Sequence, residues 1–229
     1  MLTYKINIQD IKNQIFIPKY YDPALRQELL SLKETHDLLV LGDLIDAGII
    51  GAQTGHEIGK MAYGTGSIPF VRTSDISNWE IKTIPKQGVS QEIYDFYAYK
   101  EDVQPGDILM VKDGTYLIGT NCIVTPLDIP MIYQSHILKF RVVSSELLDP
   151  LILFLALNCP LVQRQIRNMQ FTADIIDTLG SRYREIILPI PKDITFRKEL
   201  SEKMKQALDT RIRYKAAIKQ MPLLIESVL

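Results

Sequence analysis

Two polar loops hold the side chains of this chain that are best suited to reading hydrogen-bonding edges. One loop ends the segment IPFVRTSDISNW (residues 68–79), and the other lies within PGDILMVKDGTYLIGTNCIV (residues 105–124). Each follows a short run of β-prone residues and offers charged, amide or hydroxyl groups. Neither contains a recognisable catalytic set, so both favour recognition over catalysis. Two ordinary strand-and-turn units are the alternative interpretation.

Side chains that commonly carry catalysis or bind metals do not form recognisable sets. The three histidines, His36, His56 and His136, have no metal-ligand spacing to one another, to a cysteine or to a carboxylate. Cys122 and Cys159 lie in apolar surroundings, which predicts small core residues rather than reactive thiols. The sequence therefore predicts no cofactor and no bound metal.

The sequence contains only fragments of the motifs that two classes of enzyme would require. A metal-dependent nuclease would place acidic residues along a β-hairpin with a lysine two positions beyond the second acid. Asp107, Lys112 and Asp113 offer these residue types in the wrong arrangement. The hallmark of amino-methyltransferases, an asparagine or aspartate followed by two prolines and an aromatic residue, is absent, and residues 158–161 (NCPL) are only a faint echo of it.

The composition is that of a soluble globular protein with its own core, because 46% of the 229 residues are hydrophobic and 23% are charged. No apolar run approaches the roughly 20 residues that span a membrane, and the N-terminus lacks a signal-peptide pattern, so we expect a cytoplasmic protein. The net charge is −1, but residues 1–159 carry 13 basic and 19 acidic side chains, whereas residues 160–229 carry 13 and 8. Any affinity for DNA must therefore come from a local patch.

The predicted elements up to residue 149 are mostly strands and turns. Asp22 and Pro23 are suited to begin a helix. The glycine-rich residues 41–67 predict a loop, with a short strand or helical turn near its start. From residue 68 to 143 β-prone runs alternate with turns, with a short helix over residues 90–97. Asp113 and Gly114 form a dipeptide typical of a tight hairpin between two strands.

Beyond Asp149 the sequence predicts mainly helices. Residues 150–169 form either one helix broken near Pro160 or two helices joined there. A strand then leads into a helix of more than 25 residues, over which apolar side chains recur at spacings of three and four. This stripe must be buried, either against its own domain or against a partner helix. It includes Leu200, Met204, Leu208, Ile212, Ile218 and Met221.

The order of five segments resembles the specificity subunits of type I restriction-modification enzymes, in particular one target recognition domain with the helix that follows it. The segments are LGDLID (41–46), IPFVRTSDIS (68–77), PGDILMVKDGTYLIG (105–119), QRQIRNMQFTAD (163–174) and REIILPIP (184–191). Each segment is loose by itself, but their order and the passage from strand through prolines into a long helix are more specific. The resemblance covers about residues 40–222.

The resemblance implies an α+β fold. A target recognition domain with small, twisted, mostly antiparallel sheets and packed helices would occupy residues 1–190, and a long helix would occupy residues 191–229. Such a subunit is non-catalytic and directs an adenine methyltransferase subunit, and a restriction subunit where one is present, to a bipartite sequence in double-stranded DNA. A full-length member has two recognition domains, whereas this sequence holds one. We therefore expect a truncated product, or a half-subunit that forms a homodimer through the apolar stripe.

In that role the polar loop residues become candidates for contacts to bases, because arginine and lysine pair with guanine, asparagine and glutamine with adenine, and hydroxyl groups with either. The predicted base contacts are Arg72, Ser74, Asn78, Lys112, Tyr116, Gln134 and Ser135. The predicted phosphate contacts are Arg164, Arg167, Arg182 and Arg184, in the basic part of the chain. A scaffold role is the alternative for each loop residue. A stand-alone nuclease, or a helix-mediated interaction module without DNA affinity, is the alternative for the chain.

Overall fold

The computed structural model describes residues 4–12, 15–114, 116–173 and 176–226. Thr115 of the second polar loop and Asp174 of the fourth matching segment lie outside these ranges. The helices are α1 (Pro23–Ser31), α2 (Leu41–Asp46), α3 (Gln91–Glu101), α4 (Pro150–Asn158), α5 (Pro160–Met169) and α6 (Ile194–Glu226). The strands are β1 (His36–Val40), β2 (Ile50–Thr54), β3 (Ile68–Val71), β4 (Ile76–Ser77), β5 (Glu80–Ile81), β6 (Gly88–Val89), β7 (Ile108–Val111), β8 (Asp113–Gly114), β9 (Asn121–Ile123), β10 (Ile132–Tyr133), β11 (Ile137–Val142), β12 (Phe171–Ala173), β13 (Ile176–Thr178) and β14 (Ile187–Pro191).

A four-stranded antiparallel sheet, in the order β2–β11–β7–β9, separates two hydrophobic cores. Successive side chains of a strand point to opposite faces, so β7 serves both cores. Ile108 and Met110 join the larger core with α4 and α5, whereas Leu109 and Val111 join the smaller core. This double burial explains why the β7 sequence is continuously apolar rather than alternating.

The remaining strands form small sheets around these cores, and Phe70, Val89 and Ile132 of one of these sheets join Ile58 in a third, smaller core. They are the pair β1–β14, the sheet β10–β3–β6, the sheet β12–β13–β8 and the hairpin β4–β5. Among the described strands, all pairings are antiparallel except that of β3 with β10, so the predicted α+β class with mostly antiparallel sheets is confirmed. Chain segments approach closely at Gly55, where an added Cβ would lie 2.1 Å from the carbonyl oxygen of Tyr133.

Local signals fix the helix boundaries as predicted. The Asp22 carboxylate accepts hydrogen bonds from the first backbone amides of α1, and Pro23 occupies the first helical position. Asp149 caps α4 in the same way. Pro160 begins α5 immediately after α4 ends, so residues 150–169 form two helices rather than one.

Helix α6 folds back along its own domain. Leu200, Met204 and Leu208 pack against the larger core, and Met204 is buried. Farther along, the buried Lys215 ammonium donates to the Ile81 carbonyl oxygen at 2.6 Å and forms an ion pair with Asp128 at 2.8 Å. Within the described ranges, no helix is both long and apolar enough to cross a membrane.

Two local predictions are wrong. Asp113 and Gly114 do not form a tight hairpin; they pair as β8 with β13, and residues 112–120 connect β7 to β9. The glycine-rich stretch begins with α2, which agrees with the predicted helical turn, but it then contains β2 at the edge of the central sheet where a loop was predicted. In both cases a partner distant in sequence supplies the hydrogen bonds that define the strand.

Candidate nucleic-acid interface

An open cleft of about 680 Å³ brings together three of the predicted base-contacting residues. Ser74 and Asn78 come from the segment after β3, whereas Tyr116 comes from the loop between β8 and β9. We call this site the amide cleft. Its polar lining also includes Ser77, Lys82, Thr120, Asn121, Asn158 and Gln163. Ser77 belongs to the first polar loop predicted from the sequence. The other five residues were not singled out for this site, although Gln163 begins one of the matching segments.

A strained two-residue turn carries Asn78 to the edge of the cleft. Asn78 and Trp79 connect β4 to β5 with φ angles of 50° and 66°. Tight hairpin turns require such positive angles, which asparagine tolerates but tryptophan rarely adopts. A non-glycine residue in this conformation costs about 1–3 kcal/mol unless its surroundings hold it there. The Trp79 ring meets the Phe154 ring edge-on, with their centroids 5.5 Å apart.

The base of this turn is anchored by a buried carboxylate. Asp75 is fully buried and accepts hydrogen bonds from the backbone amides of Arg72 at 3.0 Å and Lys86 at 3.3 Å. The predicted base contact Arg72 lies outside the cleft lining, with its guanidinium 5.7 Å from the centre of the Tyr63 ring. The local structure therefore holds the turn in place without using the exposed side chains of Ser74 and Asn78.

Three interlinked amides form the floor of the cleft. The Asn158 amide group donates to Asn121 Oδ1 at 2.6 Å, and the Asn121 amide group donates to the Gly119 carbonyl oxygen at 3.0 Å. Gln163 donates to the same carbonyl at 3.1 Å and to that of Leu157 at 2.8 Å. Asn121 is only 1% exposed, whereas Tyr116 at the rim is 88% exposed.

The electrostatic character of the amide cleft suits a nucleic acid. Lys82 is the only charged side chain among the described residues that line it, and none of them is acidic. Amides and hydroxyls can donate to and accept from base edges, and aromatic rings provide a stacking surface. This combination differs from the rest of residues 1–159, where acidic side chains are in excess.

Three other predicted base contacts lie in or beside a second group of polar residues, which we call the paired cluster. It consists of Glu57, Lys112, Asp113, Ser135 and His136. The Lys112 ammonium lies 3.1 Å from Asp113 Oδ2, and His136 lies 3.4 Å from the same oxygen and 3.8 Å from Glu57. Ser135 donates to Glu57. The neighbouring Gln134 is only 9% exposed.

Arg182, a predicted phosphate contact, already forms hydrogen bonds within its own domain. Its guanidinium donates to the carbonyl oxygens of Met169 at 2.8 Å and Thr178 at 2.7 Å. It also lies 4.0 Å from the centre of the Phe171 ring. Burial lowers the pKa of Arg182 from its ordinary value, although the group stays charged. These contacts fix the α5–β12 connection, and a phosphate would have to compete with them.

The other predicted phosphate contacts differ in whether they form ion pairs within the chain. Arg164 forms an ion pair with Glu28 at 2.6 Å, and Arg184 forms one with Asp46 at 2.6 Å. Arg167 is exposed, and none of the described residues forms an ion pair with it. Arg164 and Arg167 line a mainly apolar groove of about 790 Å³, separate from the amide cleft.

The two acidic residues considered for a nuclease lie far apart, and each already interacts with basic side chains of the fold. Asp107 is 1% exposed, and its carboxylate accepts hydrogen bonds from Arg141 at 2.6 Å and 2.7 Å, which raise the pKa of Arg141. Asp113 lies beyond the other end of β7, roughly 20 Å away at about 3.3 Å per residue. The two carboxylates therefore cannot share one metal ion. No group of three histidine, cysteine or acidic side chains suited to a metal occurs in the described part of the chain.

The fold resembles solved restriction-modification proteins, although no protein-family model and no curated protein matches the sequence. The type I restriction-modification S subunit from M. genitalium aligns with a TM-score of 0.50 and 14% identity, over 88% of this chain and 47% of its own. The type IIG restriction endonuclease BpuSI aligns with a TM-score of 0.52 and 12% identity, over 82% and 28%. The HsdS subunit from Thermoanaerobacter tengcongensis aligns at 0.49 and 13%, over 87% and 46%.

The first of these alignments gives this chain the fold of a specificity subunit, which confirms the resemblance predicted from the five segments. At 14% identity the likeness is one of fold. The chain spans about half the length of the M. genitalium S subunit.

Proposed function

We propose that this chain is a non-catalytic DNA-recognition subunit of a restriction-modification complex. The amide cleft is the observation that carries the proposal. On a specificity-subunit fold, it gathers three predicted base contacts from two separate loops into a site without acidic lining among the described residues. The paired cluster is a weaker candidate, because its lysine already has a carboxylate partner.

In this proposal the rim of the amide cleft contacts base edges in one half of a bipartite target in double-stranded DNA. Asn78 and Ser74 supply hydrogen bonds, Tyr116 supplies an aromatic surface, and Lys82 neutralises a nearby phosphate. An adenine methyltransferase subunit docks on the chain and supplies the chemistry, together with a restriction subunit where one is present. The chain acts in the cytoplasm.

Selection from a random DNA library tests this function. The chain is co-expressed with its adenine methyltransferase partner, the complex is incubated with duplexes containing a long randomised segment, and methylated molecules are sequenced. We expect enrichment of one defined bipartite sequence, and no enrichment with the methyltransferase alone. Equal methylation of all sequences, or none by a correctly assembled complex, would contradict the proposal.

We further propose that two copies associate through the exposed part of the α6 stripe, so that a homodimer offers two recognition domains. Ile218 and Met221 are 40% and 61% exposed, and Tyr214 beside them is 67% exposed. Three and four residues apart, they share one side of the helix. Leu200, Met204 and Leu208 already contact their own core, so the partner surface shifts toward the C-terminal half of α6.

Light scattering coupled to size-exclusion chromatography tests the dimer. Ile218→Glu places a charge in the proposed interface and should raise the dimer dissociation constant at least tenfold. Lys205→Glu, on an exposed and opposite side of α6, is the matched control and should leave it unchanged. Leu208→Glu would be uninformative, since it would also disrupt the core. A monomeric wild-type chain, or equal effects of the two variants, would contradict the dimer.

A further inference from the structure

We propose that the amide cleft holds a single nucleobase withdrawn from base stacking. The acceptor oxygens of Asn158 and Gln163 would read the edge of that base, and Trp79 and Tyr116 would contact its face. This inference rests on the proposed DNA-recognition function, and adds a site for one extruded base beneath the residues that contact the duplex.

The depth of the cleft separates two sets of polar residues. Ser74, Asn78 and Tyr116 are exposed at the rim, whereas Asn121 is almost completely buried and Asn158 and Gln163 are half-buried. The base edges of an intact duplex are themselves recessed within a groove. Two concave surfaces cannot bring their floors together. The floor amides can therefore contact a base only when it has left the stack, as in other proteins that extrude a nucleotide.

The hydrogen-bond network fixes what the floor can recognise. Asn158 directs its amide nitrogen at Asn121 Oδ1 and the Phe154 carbonyl, and Gln163 directs its nitrogen at the carbonyls of Gly119 and Leu157. Because all four partners are acceptors, both NH2 groups are used as donors. Among the described residues, none donates to the oxygen of either amide. Each amide thus presents an acceptor to a ligand.

Two acceptors favour a base with an exocyclic amino group. Adenine, cytosine and guanine carry such a donor, whereas thymine lacks one. The floor should therefore discriminate against thymine, which offers these two acceptors only its ring N3–H between two carbonyl oxygens and would leave at least one acceptor without a partner. Because their own hydrogen bonds hold the amides in place, the site already has its binding geometry before the ligand arrives.

Two aromatic rings supply a surface for the face of the base. Tyr116 is 88% exposed, and Trp79 is 39% exposed at the mouth of the same cleft. The left-handed backbone of Trp79 is costly for this residue type, and strain of this kind tends to persist where it positions a functional side chain. Base–aromatic stacking tolerates any base, so the rings add affinity while the floor amides select.

The chain contains one tryptophan, so the fluorescence of Trp79 reports on ligands that enter the cleft it lines. We would titrate the full chain with single-stranded oligomers of ten deoxyadenosines, ten deoxycytidines or ten thymidines, and with a ten-residue abasic oligomer of equal charge. We expect quenching with the deoxyadenosine and deoxycytidine oligomers, at least fivefold weaker binding of the thymidine oligomer, and no quenching with the abasic one. Equal affinities for adenine- and thymine-containing oligomers would overturn the inference, as would equal responses to abasic and base-containing strands.

Variants locate the effect. Asn158→Leu should reduce the preference for deoxyadenosine over thymidine at least threefold, with folding checked by thermal denaturation. Tyr116→Ala alters only an exposed side chain and should weaken every base-containing oligomer at least threefold, so it decides the matter if Asn158→Leu does not fold. Unchanged binding by Tyr116→Ala would contradict the inference. Selection of a defined duplex sequence from the library, without this single-strand response, would reject the base pocket while leaving the DNA-recognition function in place.

Discussion

The amide cleft and the paired cluster both contain predicted base contacts, but the polar groups of the two regions are satisfied differently. In the paired cluster, Lys112 and His136 lie against the carboxylate of Asp113, so the charge of Lys112 is compensated within the fold. In the cleft, the amide nitrogens of Asn158 and Gln163 are fixed by carbonyl groups, whereas none of the described residues donates to their oxygens. The comparison teaches that the partners of a polar side chain, rather than its type, distinguish a recognition surface from a scaffold.

Removing the central carboxylate of the paired cluster should have the largest effect, and it should act on stability. Asp113→Ala leaves Lys112 and His136 without their shared partner and removes the acceptor of the Thr178 hydroxyl. We expect the free energy of unfolding to fall by about 2–4 kcal/mol, since a partly buried network loses its centre. Urea denaturation measures this.

The same variant separates the two regions. Once corrected for the folded fraction, the affinity of Asp113→Ala for the selected duplex should match that of wild type. A normal unfolding free energy combined with weakened DNA binding would instead make the paired cluster part of the interface, and the distinction between the regions would fail.

Asn78→Gly should have the opposite profile and an intermediate size. Glycine adopts the left-handed conformation of position 78 readily, so the turn is preserved and the unfolding free energy should change by less than about 1 kcal/mol. Loss of the amide should weaken binding of the selected duplex by about 1–3 kcal/mol, the range for one base-specific contact. Fluorescence anisotropy of a labelled duplex gives the affinity, and an unchanged value would exclude Asn78 from base contact.

The smallest expected difference concerns two lysines. Lys82→Met in the cleft should make the plot of log affinity against log salt concentration shallower by roughly 0.9, the effect of one phosphate contact. Lys112→Met is the matched control, because the Lys112 charge is already compensated by Asp113. A similar change in both slopes would mean that DNA covers the two regions alike.

Local sequence signals predicted the parts of the fold that depend on neighbouring residues. Asp22 and Pro23 begin α1, and Pro160 separates α4 from α5, because capping and the missing proline amide act within one helical turn. The pair Asp113–Gly114 misled for the opposite reason. It pairs with β13, about 65 residues away, and this long-range pairing overrides the preference of the dipeptide for a tight turn.

The candidate site was only partly predictable on the same grounds. Ser74, Asn78 and Tyr116 stood out by residue type and loop position. Asn121 and Asn158 did not, because nothing local indicates that a strand residue and a helix residue meet to share a hydrogen bond. The apolar stripe of α6 was visible, but its periodicity could not tell which surface covers Met204.

The packing of Leu200, Met204 and Leu208 has a consequence for synthesis of the protein. These residues complete the larger core, yet they follow every strand and the other five helices described here. During translation, the surface formed by α4 and β14 stays exposed to solvent until α6 has left the ribosome. Chains with exposed apolar surface are prone to aggregate. We therefore expect the nascent chain to depend on chaperones over this interval, and premature termination within α6 to yield insoluble product.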